Sequence, residues 1–190
     1  MSRVLIVDDE PGILHALQRL LRAVPCTCGN SVYPLEVETF DAPAAALERA
    51  SHAPFDLILT DYRMPAMDGV ELLRRLRAIQ PDAARLILSG YADLNVLFSA
   101  INEVEIYRFI AKPWNDYELI AAIGQALHNR DLMLENRKLA DQARVAQGLM
   151  SPEALEAKRL EALEPGITKV NWAADGSVLL DPEFQDLDLD

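Results

Sequence analysis

Five short runs with the apolar pattern of β-strands recur along the first 115 residues, and helix-periodic sequence separates most of them. The runs are 4–7, 36–40, 55–61, 85–89 and 107–111. Between them, 11–23 places Ile13, Leu14, Leu17, Leu20 and Leu21 at helical spacing. The segment 44–50 reads as a helix entered through Asp41 and Pro43, 69–79 as an amphipathic helix, and 92–102 as a further one. The stretch 25–34, with Gly29, Asn30 and two prolines, reads as a loop. Strands that alternate with helices predict an α/β fold with a parallel sheet covered on both faces. Right-handed crossovers make it doubly wound and five-stranded, with functional residues at the carboxyl ends of the strands.

Composition excludes several classes of function. The chain has 190 residues, 51 % of them apolar, with 30 acids against 18 bases and a formal charge of −12. Binding to nucleic acid or to an anionic membrane needs clustered Lys and Arg, which this balance disfavours. No apolar run approaches the ~20 residues of a membrane span, and the acidic Asp8-Asp9-Glu10 rules out a secretory signal over the first ten residues. Cys26 and Cys28 are read as loop thiols of a reducing, cytoplasmic protein, and as half of a metal site at best.

From Asp116 the pattern changes. Helix-compatible sequence runs to about Leu149 without a proline. Beyond Asn129 it becomes heptad-like, with Leu132, Leu139 and Ala146 at one core position and Asn129, Asn136 and Ala143 at the other. This predicts a helical extension over 129–150 that pairs as a coiled coil with a second copy, the Asn positions favouring two strands in register. Ser151-Pro152-Glu153 reads as a fresh helix start, running to Glu164, and 167–172 and 178–180 as a hairpin around Asp175-Gly176. This tail, 151–190, carries ten acids and three bases. Trp172, Val170, Val178 and Leu180 are its candidate apolar docking face.

Asp8 and Asp9 close the first run and Asp61 closes the third. With the first strand central, these ends are neighbours and three carboxylates crowd at one edge. Like charges there repel unless a cation joins them, and hard oxygen ligands suit Mg²⁺. Ser89 closes the fourth run and Lys112 follows the fifth. A carboxylate nucleophile, a divalent cation, a hydroxyl and an ammonium together suit a phosphoryl group.

The four segments Val4-Leu5-Ile6-Val7-Asp8-Asp9-Glu10, Leu59-Thr60-Asp61-Tyr62-Arg63-Met64-Pro65-Ala66-Met67-Asp68-Gly69, Leu88-Ser89-Gly90-Tyr91 and Phe109-Ile110-Ala111-Lys112-Pro113-Trp114 stand in order at four strand ends. In this the chain closely resembles the receiver domain of two-component response regulators, over about residues 3–130. The resemblance implies a flavodoxin-like receiver domain, 1–128. It implies that Asp61 accepts a phosphoryl group from a histidine kinase or phosphotransfer protein. Asp9, Asp61 and the Arg63 backbone carbonyl would bind Mg²⁺, with Asp8 acting through water. Lys112 would pair with the phosphoryl group, Ser89 would move to hydrogen-bond it, and Phe109 would swing inward, with Tyr107 as a competing aromatic. The Lys112–Pro113 bond is cis in most such domains. Arg63 and Tyr91 flank the site. Asp68-Gly69 is read as a turn into the next helix, and His15, His52 and His128 as packing or surface residues.

The reading is therefore a signalling switch and not an enzyme, acting on an unidentified downstream protein. No helix-turn-helix, nucleotide-binding motif or phosphodiesterase signature follows residue 130. Two alternatives are weaker. An aspartate-nucleophile phosphatase of the haloacid dehalogenase type needs a second Asp where this chain has Arg63. A DNA-binding long helix needs a basic surface, whereas 129–147 holds four bases and three acids.

Overall fold

The computed structural model describes residues 1–90 and 104–163. The elements are β1 (Ser2–Val7), α1 (Pro11–Ala23), β2 (Cys26–Cys28), β3 (Ser31–Tyr33), β4 (Leu35–Phe40), α2 (Pro43–His52), β5 (Leu57–Asp61), α3 (Gly69–Ile79), β6 (Ala84–Ser89), β7 (Arg108–Ala111), α4 (Asp116–Ala146) and α5 (Pro152–Leu163). Five strands form one parallel sheet in the order β4-β1-β5-β6-β7. This is the doubly wound parallel sheet expected from the alternation of periods, and the flavodoxin-like architecture that the resemblance implies. The expected helix 92–102 and hairpin 167–180, with Tyr91 and Trp172, lie outside the described residues.

Strand alternation builds the two faces. Val4, Ile6, Leu57, Leu59, Leu86 and Leu88 point to one side, against Leu14, Leu17 and Leu21 of α1 and Leu119, Ile123 and Leu127 of α4. Leu5, Val7, Ile58 and Ile87 point to the other, against Ala46 and Ala50 of α2 and Leu72, Leu73 and Leu76 of α3. Side chains on the three central strands are thus buried whichever way they point, which is why these runs read as nearly continuous apolar sequence. Each fully buried Leu or Ile contributes about 1.5–3 kcal/mol.

The stretch 25–34 is not a loop. It forms a two-stranded antiparallel ribbon, β2–β3, with Cys26 opposite Tyr33 and Cys28 opposite Ser31. The turn has two residues, Gly29 and Asn30, and Gly29 takes a φ of +57°, which only glycine adopts without cost. The ribbon lies on α4. The Cys26 thiol approaches the Ile120 carbonyl at 3.7 Å, and Tyr33 Oη meets His128 Nδ1 at 3.2 Å. Gly124 permits this contact, since a Cβ there would stand 2.6 Å from the Thr27 carbonyl oxygen.

The chain divides into two compact units, Met1–Glu135 and Asn136–Asp190. Within the second, α4 ends at Ala146, earlier than the expected 149. Gly148, at a φ of +70°, reverses the chain, and the Leu149 amide donates to the Arg144 carbonyl at 2.8 Å. The Ser151 hydroxyl caps α5 by accepting from the Ala154 amide at 3.1 Å. Lys158 of α5 pairs with the buried Asp141 of α4 at 2.5 Å. Among the described residues no helix is long and apolar enough to cross a membrane.

Docking of the ribbon separates its two thiols. Cys26 is almost wholly buried and Cys28 half-buried. Burial, with a smaller push from Cys28, raises the Cys26 thiol to about 11, so near pH 8 about one molecule in a thousand carries the thiolate there. Iodoacetamide added to the native protein is expected to modify Cys28 first and Cys26 only after denaturation, as read by peptide mass. Equal rates at the two cysteines would contradict the docked ribbon.

Candidate functional site

The registers bring the functional side chains to one edge. Val7 lies beside Thr60, Asp61 beside Leu88 and Ser89 beside Ala111. The residues at or just after these strand ends, Asp8, Asp61, Ser89 and Lys112, therefore emerge together at the carboxyl edge of the sheet. Asp8 is fully buried, Asp61 and Ser89 are buried, and Asp9 is half-buried.

Lys112 is the hub. Its ammonium lies 2.5 Å from Asp61 Oδ1 and 2.7 Å from Asp8 Oδ2. The remaining carboxylate oxygens are met by backbone amides. Arg63 N–H donates to Asp61 Oδ2 at 2.8 Å, and Glu10 N–H donates to Asp8 Oδ1 at 3.0 Å. Among the described residues no buried side-chain polar atom lacks a partner. Burial alone would pull the Lys112 ammonium down, but hydrogen bonds to Asp61 and Asp8 outweigh it and hold Lys112 above its usual range. Burial pushes the Asp8 carboxyl up, against the hydrogen bonds from Lys112 and the Glu10 amide. Lys112 is joined to Pro113 by a cis bond, and its amide donates to the Ser89 carbonyl at 2.8 Å. The Ser89 hydroxyl donates to the Gly90 carbonyl at 3.1 Å.

Other sequence candidates sit as follows. Asp9 stands beside this cluster in sequence, but no contact ties it to Lys112. Arg63 reaches Asp61 through its amide N–H. Phe109 packs against the core cluster that holds Leu5, Val7 and Ile87, whereas Tyr107 is 39 % exposed. His15 and His52 are exposed on α1 and α2, and His128 serves the ribbon contact. A cavity of about 550 Å³ lined by Glu10, Ile13, Lys112, Pro113 and Trp114 opens beside the ammonium.

The donor set bears on metal binding. Asp8 and Asp61 share one ammonium, and Asp9 follows Asp8 directly in the chain, so this edge offers more hard carboxylate oxygens than one cation balances, which suits a small dication. Among the described residues no three His, Cys, Asp or Glu side chains are already gathered as a metal cluster. The fit therefore rests on charge and donor type.

Gly69 and Thr60 support Asp61 through contacts that were not visible in the sequence. A Cβ on Gly69 would stand 2.2 Å from the Asp61 carbonyl oxygen, so the start of α3 touches the backbone of Asp61 itself. The Asp68 side chain caps that start, accepting from the Glu71 amide at 2.8 Å. Thr60, fully buried, donates its hydroxyl to the same Asp61 carbonyl at 3.0 Å. The Asp68-Gly69 pair flagged the turn, but nothing local in sequence flagged the contact across it.

Residues 4–124 match the family described as the response regulator receiver domain, and the chain belongs to that family. The response regulator receiver protein CpdR of Brucella abortus is 32 % identical over 129 residues, covering 67 % of this chain and 98 % of that protein. The hydrogenase transcriptional regulatory protein HoxA of Cupriavidus necator is 35 % identical over 138 residues, 73 % of this chain but 27 % of HoxA. Matches to HoxA proteins and to DctD of Rhizobium meliloti span 27 to 31 % of those longer relatives. Among solved structures, the signal receiver domain of an HD domain-containing protein from Pseudomonas fluorescens Pf-5 is similar, with a TM-score of 0.61 and 35 % identity over 68 % of this chain and 97 % of that one. A structure named adenylate cyclase from Rhodopirellula baltica has a TM-score of 0.65 and 32 % identity over 74 % of this chain and 97 % of its own. Receiver domains are signalling switches.

Gly69→Ala is expected to destabilise the protein by about 1–3 kcal/mol, although alanine is the better helix former, because the added methyl forces the Asp61 backbone to move. Thermal denaturation by circular dichroism reads the loss. An unchanged or raised melting temperature would show that the contact is not tight.

Proposed function

We propose that this chain is a two-component response regulator whose Asp61 accepts a phosphoryl group from a phosphohistidine on a kinase or phosphotransfer protein. The observation that carries the reading is the convergence of Asp61 and Asp8 on the single ammonium of Lys112, at the ends of adjacent parallel strands. Asp61 Oδ1 attacks the phosphorus, the nitrogen–phosphorus bond of the donor breaks, and the leaving imidazole takes up a proton. Asp61 is suited to this because its second oxygen is held by the Arg63 amide, which fixes the carboxylate's orientation.

Asp9, Asp61 and the Arg63 carbonyl would hold Mg²⁺, with Asp8 supporting it through water. When bound, the ion neutralises charge on the phosphoryl oxygens and orients them. Lys112 exchanges its contact with Asp61 for one with the phosphoryl group. Ser89 turns its hydroxyl from the Gly90 carbonyl to the same group, and Phe109 follows inward. The acyl phosphate thereby biases a two-state equilibrium, and the favoured state is recognised by another protein. The near-neutral 129–147 segment does not favour contact with nucleic acid phosphates, and Arg63 stands where a phosphatase of the alternative class needs its second Asp. A cytoplasmic setting follows from the partner class and from the two free thiols.

The dimer belongs to the same reading. Leu132, Met133 and Leu139 are exposed on α4, while Asp141, which takes Lys158 of α5, falls on another side of the helix from Leu139. The leucine stripe is left for a second copy, with Asn129 and Asn136 setting register.

Incubation with a small phosphodonor and Mg²⁺ is expected to label the wild-type protein and to leave Asp61→Asn at background; equal uptake by the variant would refute the acceptor assignment. Separately, sedimentation is expected to show a dimer for wild type and a monomer for the Leu132→Lys, Leu139→Lys double variant. A monomeric wild type would remove the paired helix from the account.

A further inference from the structure

Past its packed half, α4 loses nearly all burial. Between 131 and 146 every side chain is exposed except those of Leu134, Asp141 and Val145. A polar, exposed helix of this length is marginal in water by itself, because nucleation is costly (σ of roughly 10⁻³) and only propagation from a formed turn is cheap. Something must therefore hold the last packed turn.

Two contacts from separate parts of the first unit meet that turn. On one side the β2–β3 ribbon reaches His128, with Tyr33 Oη 3.2 Å from Nδ1. Burial, and after it the Asp131 carboxylate, keep the Tyr33 phenol above its ordinary range. The phenol therefore keeps its proton, and it shares one hydrogen bond with His128 Nδ1 whose direction is set by the imidazole tautomer. On the other side the Arg130 guanidinium pairs with Asp56 Oδ1 at 2.8 Å and donates from Nε to the Asp82 carbonyl at 3.0 Å. Asp56 is itself fixed, since its other oxygen accepts from the Arg3 amide at 2.7 Å. Asp56 and Asp82 precede β5 and β6, at the edge of the sheet opposite Asp61. Arg130 is half-buried here, so its pair is less screened than a surface ion pair. None of these residues takes part in the phosphoryl chemistry proposed above.

We propose that the β2–β3 ribbon and Asp56 form a two-point clamp on α4, through His128 and Arg130, that holds a helical turn from which the exposed part of the helix propagates. The clamp gives the ribbon a role that the sheet does not require of it. It also places the point where helical order is secured at 128–130, ahead of the uncovered leucine stripe.

Hydrogen exchange by mass spectrometry on the full chain tests this with Tyr33→Phe, which deletes one oxygen, with Arg130→Met, which keeps the aliphatic stem, and with the double variant. Each single change is expected to speed exchange of the 129–135 amides about tenfold, with a larger effect in the double variant, while the 119–123 amides packed on the sheet stay as in wild type. Phosphodonor labelling of Asp61 is expected to be unaffected in all three, which separates the clamp from the acceptor assignment. Unchanged exchange at 129–135 in the double variant would overturn the clamp. Faster exchange spread equally over 119–123 would overturn it too, because these contacts would then support the whole domain and not the helical turn.

Discussion

One ammonium between two buried carboxylates is the interaction on which the site depends. Asp8 and Asp61 bring two like carboxylates to one strand-end edge, and Lys112 supplies the opposite charge, 2.7 Å from Asp8 and 2.5 Å from Asp61. Removing one partner of a buried pair costs about 3–5 kcal/mol, because the charge left behind loses its compensation. The contact also ties three elements into one edge: the ends of β1 and β5 carry the acids, and the turn after β7 carries the base. The backbone amides of Glu10 and Arg63 complete the arrangement by occupying the carboxylate oxygens that Lys112 does not reach.

Much of this was legible in the sequence because strand burial and strand-end chemistry leave strong local marks. Apolar runs on the central strands, buried on both faces, stand out against the amphipathic helices. Acids directly after such runs are costly unless they have work to do, so Asp8, Asp61 and the companion Lys112 were readable as a group. The ribbon was not read, although its mark was present: Gly29-Asn30 is a two-residue turn between short segments that hold β-branched Thr27 and Val32. Two prolines and only three residues per strand masked it, and its stability comes from α4 through Cys26, Tyr33 and Gly124, contacts about 95 residues away in the chain. The same holds for Gly69. Its identity suggested a turn, but the closeness that would put a Cβ 2.2 Å from the Asp61 carbonyl oxygen is set by where α3 begins against β5.

The long helix combines two different physical regimes. Its first turns are held by Leu119, Ile123 and Leu127 in the core. Its later turns have almost no apolar burial of their own, and are instead supported by the Asp141–Lys158 pair and the capped start of α5. Heptad spacing could reveal the stripe of Leu132 and Leu139 but not the charge pair beside it, since Asp141 and Lys158 are seventeen residues apart on different helices. The family assignment covers the receiver, residues 4–124, and α4 continues beyond it to Ala146.

Reductive trapping of the acyl phosphate tests the central claim most directly. After incubation with phosphodonor and Mg²⁺, borohydride converts a phosphorylated aspartate to homoserine, and peptide mass spectrometry locates the converted residue. Conversion at residue 61 alone, and only when Mg²⁺ is present, is the result this account requires. Conversion at Asp8 or Asp9 in its place, or label retained on a histidine, would contradict it.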